Sequence, residues 1–539
     1  MYLVEETLIQ SAQTYFEYLE QNGLGVEEIK ILSYAFEDHQ LTLALNQKLF
    51  STDNLVFFLE DKEYAIGEEE EISVSSYDEK NLVLQLYFKN ASLNPKNKPF
   101  RLVSDLKFLV KNVEVFFNEQ KIALPSASPL PLSEEGILRD ELSEEQYRAI
   151  QTIFSHPLVY IWGAPGSGKT QRVLFQAILH LLKQGKKIAL LAPTNNALEQ
   201  ALKTLIAKLD ELHLDRSLIL RLGVPTLEFS QIYPEICESV KNRESNLFNF
   251  SNPRERIKEA QVLAMTLDGF IKRYKELGVS FDHCFLDECA FAPLVKVCAL
   301  CVMDTPLTLL GDHKQLMPVC EMKPKDLQIH PEGKLWNLSA LFLEHFLQGK
   351  ALEGKLDFEV TKLATLRHTH RYGNNLASIL NHYIYHNGLR GREERSEIYY
   401  LDCSSFDTSH IRGEPKSNNN LAEIVGVKKI IEGLSDWGVI TPFVQQRKDM
   451  IYNGIPYDRV FTIHGSQGQE FENVIFSPVL LHYHLTDSHN PQALKALNVA
   501  ISRVKKRLFI VCDYGYWMRE GDQFLSAILR EAKEWKKPL

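Results

Sequence analysis

The residues best suited to carry chemistry lie together in one glycine-rich octapeptide, Gly163-Ala164-Pro165-Gly166-Ser167-Gly168-Lys169-Thr170. An apolar run precedes it and an amphipathic run follows it, which predicts a strand, a tight loop and a helix. Glycines let backbone N–H groups close around phosphates at the start of a helix. Lys169 would reach the β- and γ-phosphates, and Thr170 would hold Mg²⁺. The octapeptide therefore predicts a site for a nucleoside triphosphate.

An acidic pair, Asp287 and Glu288, follows a second short apolar run, Cys284–Leu286. Hydrolysis of a bound triphosphate needs a further anchor for the metal ion and a group that activates water. Asp287 would complete the Mg²⁺ shell, and Glu288 would orient or deprotonate the attacking water. An isolated acidic pair is usually a solvated loop, so this interpretation depends on the octapeptide upstream.

A third polar segment, Gly311–Pro318 (GDHKQLMP), again follows an apolar strand. It resembles motif III of superfamily 1 helicases, whose glutamine senses the γ-phosphate and links it to the nucleic-acid track. Gln315 stands at that position. Upstream, Gln146 in LSEEQYRAI resembles the glutamine of the Q motif, which reads the edge of adenine.

The second half of the chain continues the same resemblance. In TIHGSQGQE, similar to motif V, the family places Gln467 and Gly468 near the γ-phosphate and Glu470 near the ribose. Arg503 in NVAISR resembles the arginine finger of motif VI. The resemblance thus implies that the carboxyl-terminal half completes the nucleotide site.

Motif IV departs from the family, which usually shows Gln-Tyr-Arg where this chain has Thr369-His370-Arg371. Arg371 fits a second arginine finger. The aromatic residue that stacks on adenine would be His370, or Tyr372 if the turn is offset. A packed structural contact is the alternative for either aromatic residue.

Residues expected to contact the nucleic-acid backbone also follow from the resemblance. The segments are APTNN (motif Ia), VLAMT, ITPF with the following QQR, and TIHG (motif V); ITPF and QGQE look most like the branch of the nonsense-mediated-decay helicase. The residues assigned to the nucleic acid are Pro193, Thr194, Asn195, Thr266, Thr441, Pro442, Thr462 and His464.

These motifs imply a motor that uses ATP and Mg²⁺ to move along single-stranded DNA or RNA, with 5′-to-3′ polarity inherited from the branch. Arginines from one domain would neutralise the transition state only when they close on the P-loop of the other, so hydrolysis would be coupled to a step. Two other classes stay open: a nucleotide-gated clamp or remodelling ATPase that does not unwind, and a P-loop kinase or metabolic ATPase.

Around these motifs the chain predicts an α/β fold with two tandem RecA-like domains and a small β-rich amino-terminal domain. Short continuous apolar runs are typical of parallel strands buried on both faces. The predicted domains are 1–135, 136–350 and 351–539, with the proline-rich Leu124–Leu132 as the linker after the first. The first domain would be barrel-like on a helical stalk, as in the decay-helicase branch, or an unrelated domain that recruits a protein partner.

Four of the predicted strands of the amino-terminal domain alternate or are β-rich: Leu41–Leu45, Leu55–Leu59, Ile72–Ser75 and Leu82–Phe88. Phe100–Phe117 fits helix and strand equally well. The continuous apolar runs of the RecA-like domains are 158–161, 188–192, 218–222, 262–265, 284–286, 307–310, 438–440, 460–463, 474–476 and 508–511.

Composition excludes few functions. The formal charge of −10 weighs mildly against nucleic-acid binding but does not decide the question, because a motor needs only a local basic track. The eight cysteines are scattered, as in a reducing compartment, and the Cys298-x-x-Cys301 pair is predicted to be a buried helical turn rather than a metal site. The sequence has no secretory signal and no long apolar run, so we expect a cytoplasmic protein, or a nuclear one if eukaryotic, that does not contact membranes.

Overall fold

The computed structural model describes residues 4–46, 49, 52, 54–60, 62–67, 70–78, 81–90, 93–133, 137–238, 253–353 and 356–536. The chain forms two compact units. The first unit comprises Met1–Ile161, Thr170–Gly311 and Met317–Ala364, and the second comprises Trp162–Lys169, Asp312–Leu316 and Thr365–Leu539.

The amino-terminal part of the first unit consists of two antiparallel sheets flanked by helices α1 (Val4–Gln21) and α2 (Leu106–Glu119). Its strands are β1 (Val26–Ile29), β2 (Ile31–Glu37), β3 (Gln40–Leu45), β4 (Leu55–Leu59), β5 (Lys62–Ala65), β6 (Ile72–Asp78), β7 (Val83–Phe88) and β8 (Phe100–Asp105). One sheet has the order β1-β8-β4-β5 and the other β2-β3-β7-β6.

Alternation along the strands builds a common core between these two sheets. Leu41, Leu43 and Leu45 of β3 are buried, whereas the residues between them are half-buried, as expected for one face of a pleated strand. They pack in one cluster with Phe57 of β4 and Leu102 of β8. The β-rich character predicted for the amino-terminal region is confirmed.

The segment Phe100–Phe117, which fitted helix and strand equally well, contains both. β8 ends at Asp105, whose carboxylate caps α2 by accepting a hydrogen bond from the backbone N–H of Lys107 at 2.8 Å. A short polar side chain at this position satisfies a backbone N–H that the helix cannot, and so defines where the helix begins.

The remainder of the first unit surrounds a seven-stranded sheet of order β11-β12-β10-β13-β14-β9-β15. The strands are β9 (Leu158–Gly163), β10 (Ile188–Ala192), β11 (Ile219–Arg221), β12 (Val262–Thr266), β13 (His283–Leu286), β14 (Leu307–Gly311) and β15 (Lys362–Leu366). The helices are α3 (Glu144–Ile153), α4 (Phe175–Lys183), α5 (Asn195–Glu211), α6 (Leu227–Ile232), α7 (Pro253–Glu259), α8 (Leu267–Leu277), α9 (Leu294–Val297), α10 (Pro324–Ile329) and α11 (Leu343–Leu347).

The second unit contains a parallel sheet of order β20-β19-β21-β22-β18-β23, together with a parallel pair, β16 and β17. Its strands are β16 (His368–Gly373), β17 (Arg390–Arg392), β18 (Glu397–Asp402), β19 (Trp437–Thr441), β20 (Val460–Thr462), β21 (Phe471–Phe476), β22 (Val504–Cys512) and β23 (Lys533–Glu534). Its helices are α12 (Asn374–Leu380), α13 (Leu421–Ile431), α14 (Val444–Tyr452), α15 (Pro491–Ile501), α16 (Tyr514–Arg519) and α17 (Phe524–Glu531).

Two parallel sheets with helices in tandem confirm the predicted fold class. Every residue of β10, β12, β13 and β14 is buried, which explains why these strands lack polar alternation in the sequence. The prediction for Cys298 and Cys301 also holds, because both lie buried in a short 3₁₀ helix, Cys298–Val302, directly after α9. Among the described residues, no helix is long and apolar enough to cross a bilayer.

Candidate nucleotide and nucleic-acid site

The predicted P-loop forms a tight turn between β9 and a helix. Gly166 and Gly168 adopt φ angles of +78° and +85°, the left-handed region that glycine enters at little cost. A side chain at Gly163 would collide with the hydroxyl of Ser167. The helix begins at Lys169 with a π-helical turn and continues as α4. The loop therefore presents its backbone at a helix amino terminus, as the sequence predicted for a phosphate cradle.

Lys169 folds back over this loop. Its Nζ donates hydrogen bonds to the carbonyl oxygens of Gly163 at 2.6 Å and Ala164 at 3.3 Å. The ammonium is thus held at the mouth of the turn by carbonyl groups, which are weaker partners than phosphate oxygens.

Pro165 and Gly166 of the P-loop contact β16, the strand that carries motif IV, within the second unit. The backbone N–H of His370 donates to the carbonyl of Gly166 at 2.8 Å, and the hydroxyl of Thr369 donates to that of Pro165 at 2.7 Å. A Cβ at Gly166 would collide with the Cβ of Arg371. Glycine is therefore required at this position both for its backbone conformation and for this close approach.

The predicted metal anchors meet in the first unit. The hydroxyl of Thr170 donates to Oδ2 of Asp287 at 2.8 Å, and Asp287 is 4% exposed. Its Oδ1 accepts the backbone N–H of Glu288 at 3.0 Å. Glu288 has a φ of +53°, unusual for a residue with a side chain and common where a structure over-determines a functional position.

Gln315 and Arg503 are in direct contact in the second unit. Nη2 of Arg503 donates to Oε1 of Gln315 at 3.1 Å, and both side chains are buried. Gln315 in turn donates from Nε2 to Asp312 at 3.2 Å. The residue predicted to sense the γ-phosphate is thus joined to the predicted arginine finger.

Arg371 is held by acceptors from motifs V and VI. Its Nη1 donates to the carbonyl of Ser502 at 2.9 Å, and its Nη2 forms an ion pair with Glu470. Lys505 lies 3.4 Å from the same carboxylate. Glu470 directly precedes β21 and Arg503 directly precedes the neighbouring strand β22. The two strands are joined here by the backbone N–H of Phe471, which donates to the carbonyl of Arg503 at 3.1 Å.

The two candidate adenine-stacking residues differ in exposure. His370 is exposed, whereas Tyr372 is completely buried, and burial raises the pKa of its hydroxyl. A ring must be accessible to stack on a base, so the structure favours His370.

Gln146 has a structural role beside the predicted one. It is the third residue of α3, and its Oε1 accepts the backbone N–H of Ser143 at 3.0 Å while the hydroxyl of Ser143 accepts its backbone N–H at 3.3 Å. This reciprocal capping box fixes the start of the helix. It places Gln146 under a structural constraint that the resemblance did not imply.

The predicted nucleic-acid contacts of the first unit lie at the carboxyl ends of adjacent strands. β10 and β12 are parallel, and Ala192 is paired with Thr266. Thr194 caps α5 and Thr266 caps α8, each with its hydroxyl accepting a backbone N–H. Pro193 and Asn195 flank Thr194, and the Asn195 amide accepts a hydrogen bond from Arg221 at 2.6 Å.

The second unit repeats this arrangement. Thr441 at the end of β19 is paired with Thr462 at the end of β20. The Thr462 hydroxyl accepts the backbone N–H of Gly465 at 3.1 Å, next to the exposed His464. Thr441 and Pro442 are buried. Gln467 ends the short 3₁₀ helix that follows β20, and Gly468 has a φ of +79°.

Sequence reasoning missed two members of the site, Trp162 and Tyr385. Both donate hydrogen bonds to Asp312, from the indole Nε1 at 3.1 Å and from the hydroxyl at 2.6 Å. Burial raises the pKa of the Tyr385 hydroxyl well above its ordinary value. His313 packs against Trp162 with ring centroids 4.4 Å apart, and burial lowers its pKa to about 4, so it is neutral at pH 7.

Comparison with known proteins places two AAA domains on the chain. The family AAA_19 matches residues 146–321, and the family AAA_12 matches residues 355–515. The first match begins at Gln146 and ends just beyond Gly311–Pro318; the second contains Arg371, Glu470 and Arg503.

Curated relatives are distant but span most of the chain. DNA-binding protein SMUBP-2 of Rattus norvegicus is 24% identical over 457 residues, covering 73% of this chain and 45% of the relative. The DNA replication ATP-dependent helicase/nuclease DNA2 of Saccharomyces cerevisiae is 23% identical over 411 residues, covering 69% of this chain and 26% of the relative. The chain thus spans less than half the length of these relatives.

Similar solved structures include the PRRSV helicase, with a TM-score of 0.37 and 15% identity over 91% of this chain and 69% of that one. Another is the arterivirus nonstructural protein 10 helicase, with a TM-score of 0.40 and 15% identity over 89% of this chain and 78% of that one. The two AAA-domain matches, the curated relatives and the ordered motifs together show that the chain is similar to superfamily 1 helicases.

Proposed function

We propose that this chain hydrolyses ATP and uses the energy to move along single-stranded nucleic acid. The observation that carries the proposal is the assembly of polar groups around the P-loop. Lys169 curls over the loop, the Arg371 backbone packs against Gly166, and Arg503 reaches Gln315. Cations so placed would neutralise charge that develops on a transferring phosphoryl group, which can be worth about 10³ to 10⁵ in rate.

Mg²⁺ fits the oxygen donors of Thr170 and Asp287. Hydroxyl and carboxylate oxygens are the ligands that this ion prefers, and the two side chains are 2.8 Å apart. When bound, the ion would neutralise charge on the β- and γ-phosphates. Glu288, the next residue, would orient the attacking water or accept its proton. Its left-handed backbone turns the chain immediately after the metal anchor.

A nucleic-acid track is supported by the strand order of both sheets. In the first sheet the residues proposed to bind the nucleotide follow β9, β13 and β14. Thr194 and Thr266, which are proposed to contact the nucleic acid, lie at the ends of β10 and β12. Thr441 and Thr462 end β19 and β20 of the second sheet. Thr194 and Thr462 are half-buried and accessible to phosphates, whereas Thr266 and Thr441 are buried beside them; phosphate contacts carry little base specificity. Polarity from 5′ to 3′ is proposed from the likeness of ITPF and QGQE to the decay-helicase branch alone.

The proposal is tested by measuring ATP turnover with matched single-stranded DNA and RNA, and strand separation on duplexes with a 5′ or a 3′ tail. We expect turnover to rise with nucleic acid and separation to require a 5′ tail. Turnover that neither polymer changes would overturn the motor proposal, and separation only from a 3′ tail would overturn the polarity. If the Glu288→Gln variant formed a tight complex in the presence of ATP while the wild type separated no strands, the chain would be a clamp instead.

A further inference from the structure

Asp312 is a carboxylate surrounded by hydrogen-bond donors deep in the second unit. It is 1% exposed, and each of its oxygens accepts two hydrogen bonds. Oδ1 accepts the indole N–H of Trp162 at 3.1 Å and the backbone N–H of Lys314 at 3.0 Å. Oδ2 accepts Nε2 of Gln315 at 3.2 Å and the hydroxyl of Tyr385 at 2.6 Å. A buried carboxylate without these donors would be strongly destabilising.

The hydroxyl of Tyr385 also has only one available orientation. It accepts Nδ2 of Asn498 at 2.9 Å, so its proton must point toward Asp312. The same Asn498 amide donates to the carbonyl of Lys314 at 2.9 Å. Tyr385 therefore joins the motif III loop to α15, whose end leads directly to Arg503.

The orientation of the Gln315 amide follows from its two partners. A carboxylate such as Asp312 only accepts hydrogen bonds, so it must face the NH₂ group of the amide. The guanidinium of Arg503 only donates, so it must face the carbonyl. A flip of this amide would break both interactions, and its direction is therefore fixed as long as Asp312 stays in place.

We propose that Tyr385 is a positioning residue that, through Asp312, holds Gln315 and Arg503 in the geometry that responds to the γ-phosphate. This inference rests on the proposed ATP hydrolysis. Without the Tyr385 hydroxyl, Oδ2 of Asp312 loses its shortest hydrogen bond, and Asn498 retains only the Lys314 carbonyl. The carboxylate can then turn, and Gln315 loses its fixed direction.

The variant Tyr385→Phe removes this single hydroxyl. We expect its ATP turnover to fall about tenfold, while its affinity for ADP changes less than twofold because ADP has no γ-phosphate. Its affinity for a non-hydrolysable ATP analogue should fall toward its affinity for ADP. A substitution that merely loosened the fold would lower the affinities for ADP and for the ATP analogue together.

Tyr399→Phe is a matched control, because the Tyr399 hydroxyl also donates to a carboxylate, that of Glu397, at 2.9 Å. It should leave turnover and both affinities at wild-type values. Equal effects of the two substitutions, or wild-type turnover in Tyr385→Phe, would overturn the inference.

A double-mutant cycle tests the route through Gln315. In a Gln315→Ala background, Tyr385→Phe should change turnover less than twofold, because the residue it positions is already gone. If the effects of the two substitutions on turnover multiplied, Tyr385 would act by another route, and the inference would be refuted. A wild type without ATP turnover would instead refute the proposed function itself.

Discussion

Thr170 donates a hydrogen bond to Oδ2 of Asp287 at 2.8 Å, linking the last residue of the P-loop to the end of β13. These residues are separated by 117 positions in the sequence. The parallel sheet brings them together because β9 and β13 both end at the same edge, with β14 between them. The hydroxyl and carboxylate oxygens that meet at this edge of the sheet are donors that Mg²⁺ prefers.

The first prediction concerns this pair. Asp287→Asn removes the anionic oxygen and should lower ATP turnover at least about 100-fold, since metal stabilisation of transition-state charge is worth several kcal/mol. Thr170→Ser keeps a hydroxyl and should stay within a few-fold of wild type. Turnover measured across a Mg²⁺ titration checks both. An unchanged Mg²⁺ requirement in Asp287→Asn would contradict the assignment.

The second prediction separates backbone strain from steric collision in the P-loop. Gly166→Ala and Gly185→Ala both place a side chain at positive φ, +78° and +68°, at a cost of about 1–2 kcal/mol. Only at Gly166 does the new Cβ also collide with Arg371, whereas nothing lies within 4 Å at Gly185. Gly166→Ala should therefore lose ATP turnover, and Gly185→Ala should lose only stability. Assays of ATP turnover and thermal melting distinguish the two variants. Equal turnover in both variants would be the contrary result.

The third prediction concerns the arginines. Arg503→Lys and Arg371→Lys keep the positive charge but lose the planar fork, and each should lower turnover about 10³-fold with a smaller change in ATP affinity. Arg507→Lys is the control, because Arg507 lies on β22, the strand that begins directly after Arg503, and pairs with Glu397 outside the site. Rapid-quench measurements of a single turnover check the chemical step. If all three variants behaved alike, the two arginines would have no special role.

Local sequence pattern was enough to find the buried strands but not the exposed ones. β10 and β12 were correctly predicted because all of their residues are buried and all except Thr266 are apolar. β2 was missed since most of its residues are exposed, including Leu32 at 64%, so its sequence lacks a clear alternation. β18 was missed because only Ile398 of its six residues is buried and its ends are the acidic Glu397 and Asp402.

The candidate site was predictable only where its residues stand in a motif. Tyr385 lies in an irregular π-helical turn, Asn381–Tyr385, and its partner Asp312 is 73 positions away. No local spacing signals such a contact, because it is created by tertiary packing. Gln146 illustrates the opposite case: its S-x-x-Q spacing predicts a capping box as well as it fits the Q motif, and the structure contains the capping box.

The last prediction concerns Glu423 on α13, whose side chain is completely buried. Its carboxyl group accepts hydrogen bonds from Ser477 at 2.5 Å and from the backbone N–H of Val479 at 3.2 Å. Burial raises its pKa to about 8 despite these donors. Asp513, Cys403 and Cys512 also face it; burial raises the pKa of both thiols, so they do not titrate below pH 8.

The sign of the pH effect follows from the direction of this shift. An unfolded glutamate titrates near pH 4.3, so between about pH 4.3 and 8 the folded protein retains a proton that the unfolded chain releases. The stabilising contribution is complete below pH 4.3 and decreases as the pH rises toward 8, by up to about 1.4 kcal/mol per unit. Glu423→Gln cannot ionise. Its melting temperature should therefore fall less than that of wild type between pH 5 and 8.

Glu344 on α11 provides the control with the opposite sign. Burial acts to raise its pKa, but backbone N–H groups of Thr361 and Val360, each at 2.7 Å, lower it overall. Its contribution is present above the unfolded pKa and is lost only as the pH falls through the lowered folded value, below the measured window. Glu344→Gln should thus lower the melting temperature by a nearly constant amount from pH 5 to 8. Parallel melting curves for wild type and Glu423→Gln over that range would show that Glu423 is ionised in the folded protein.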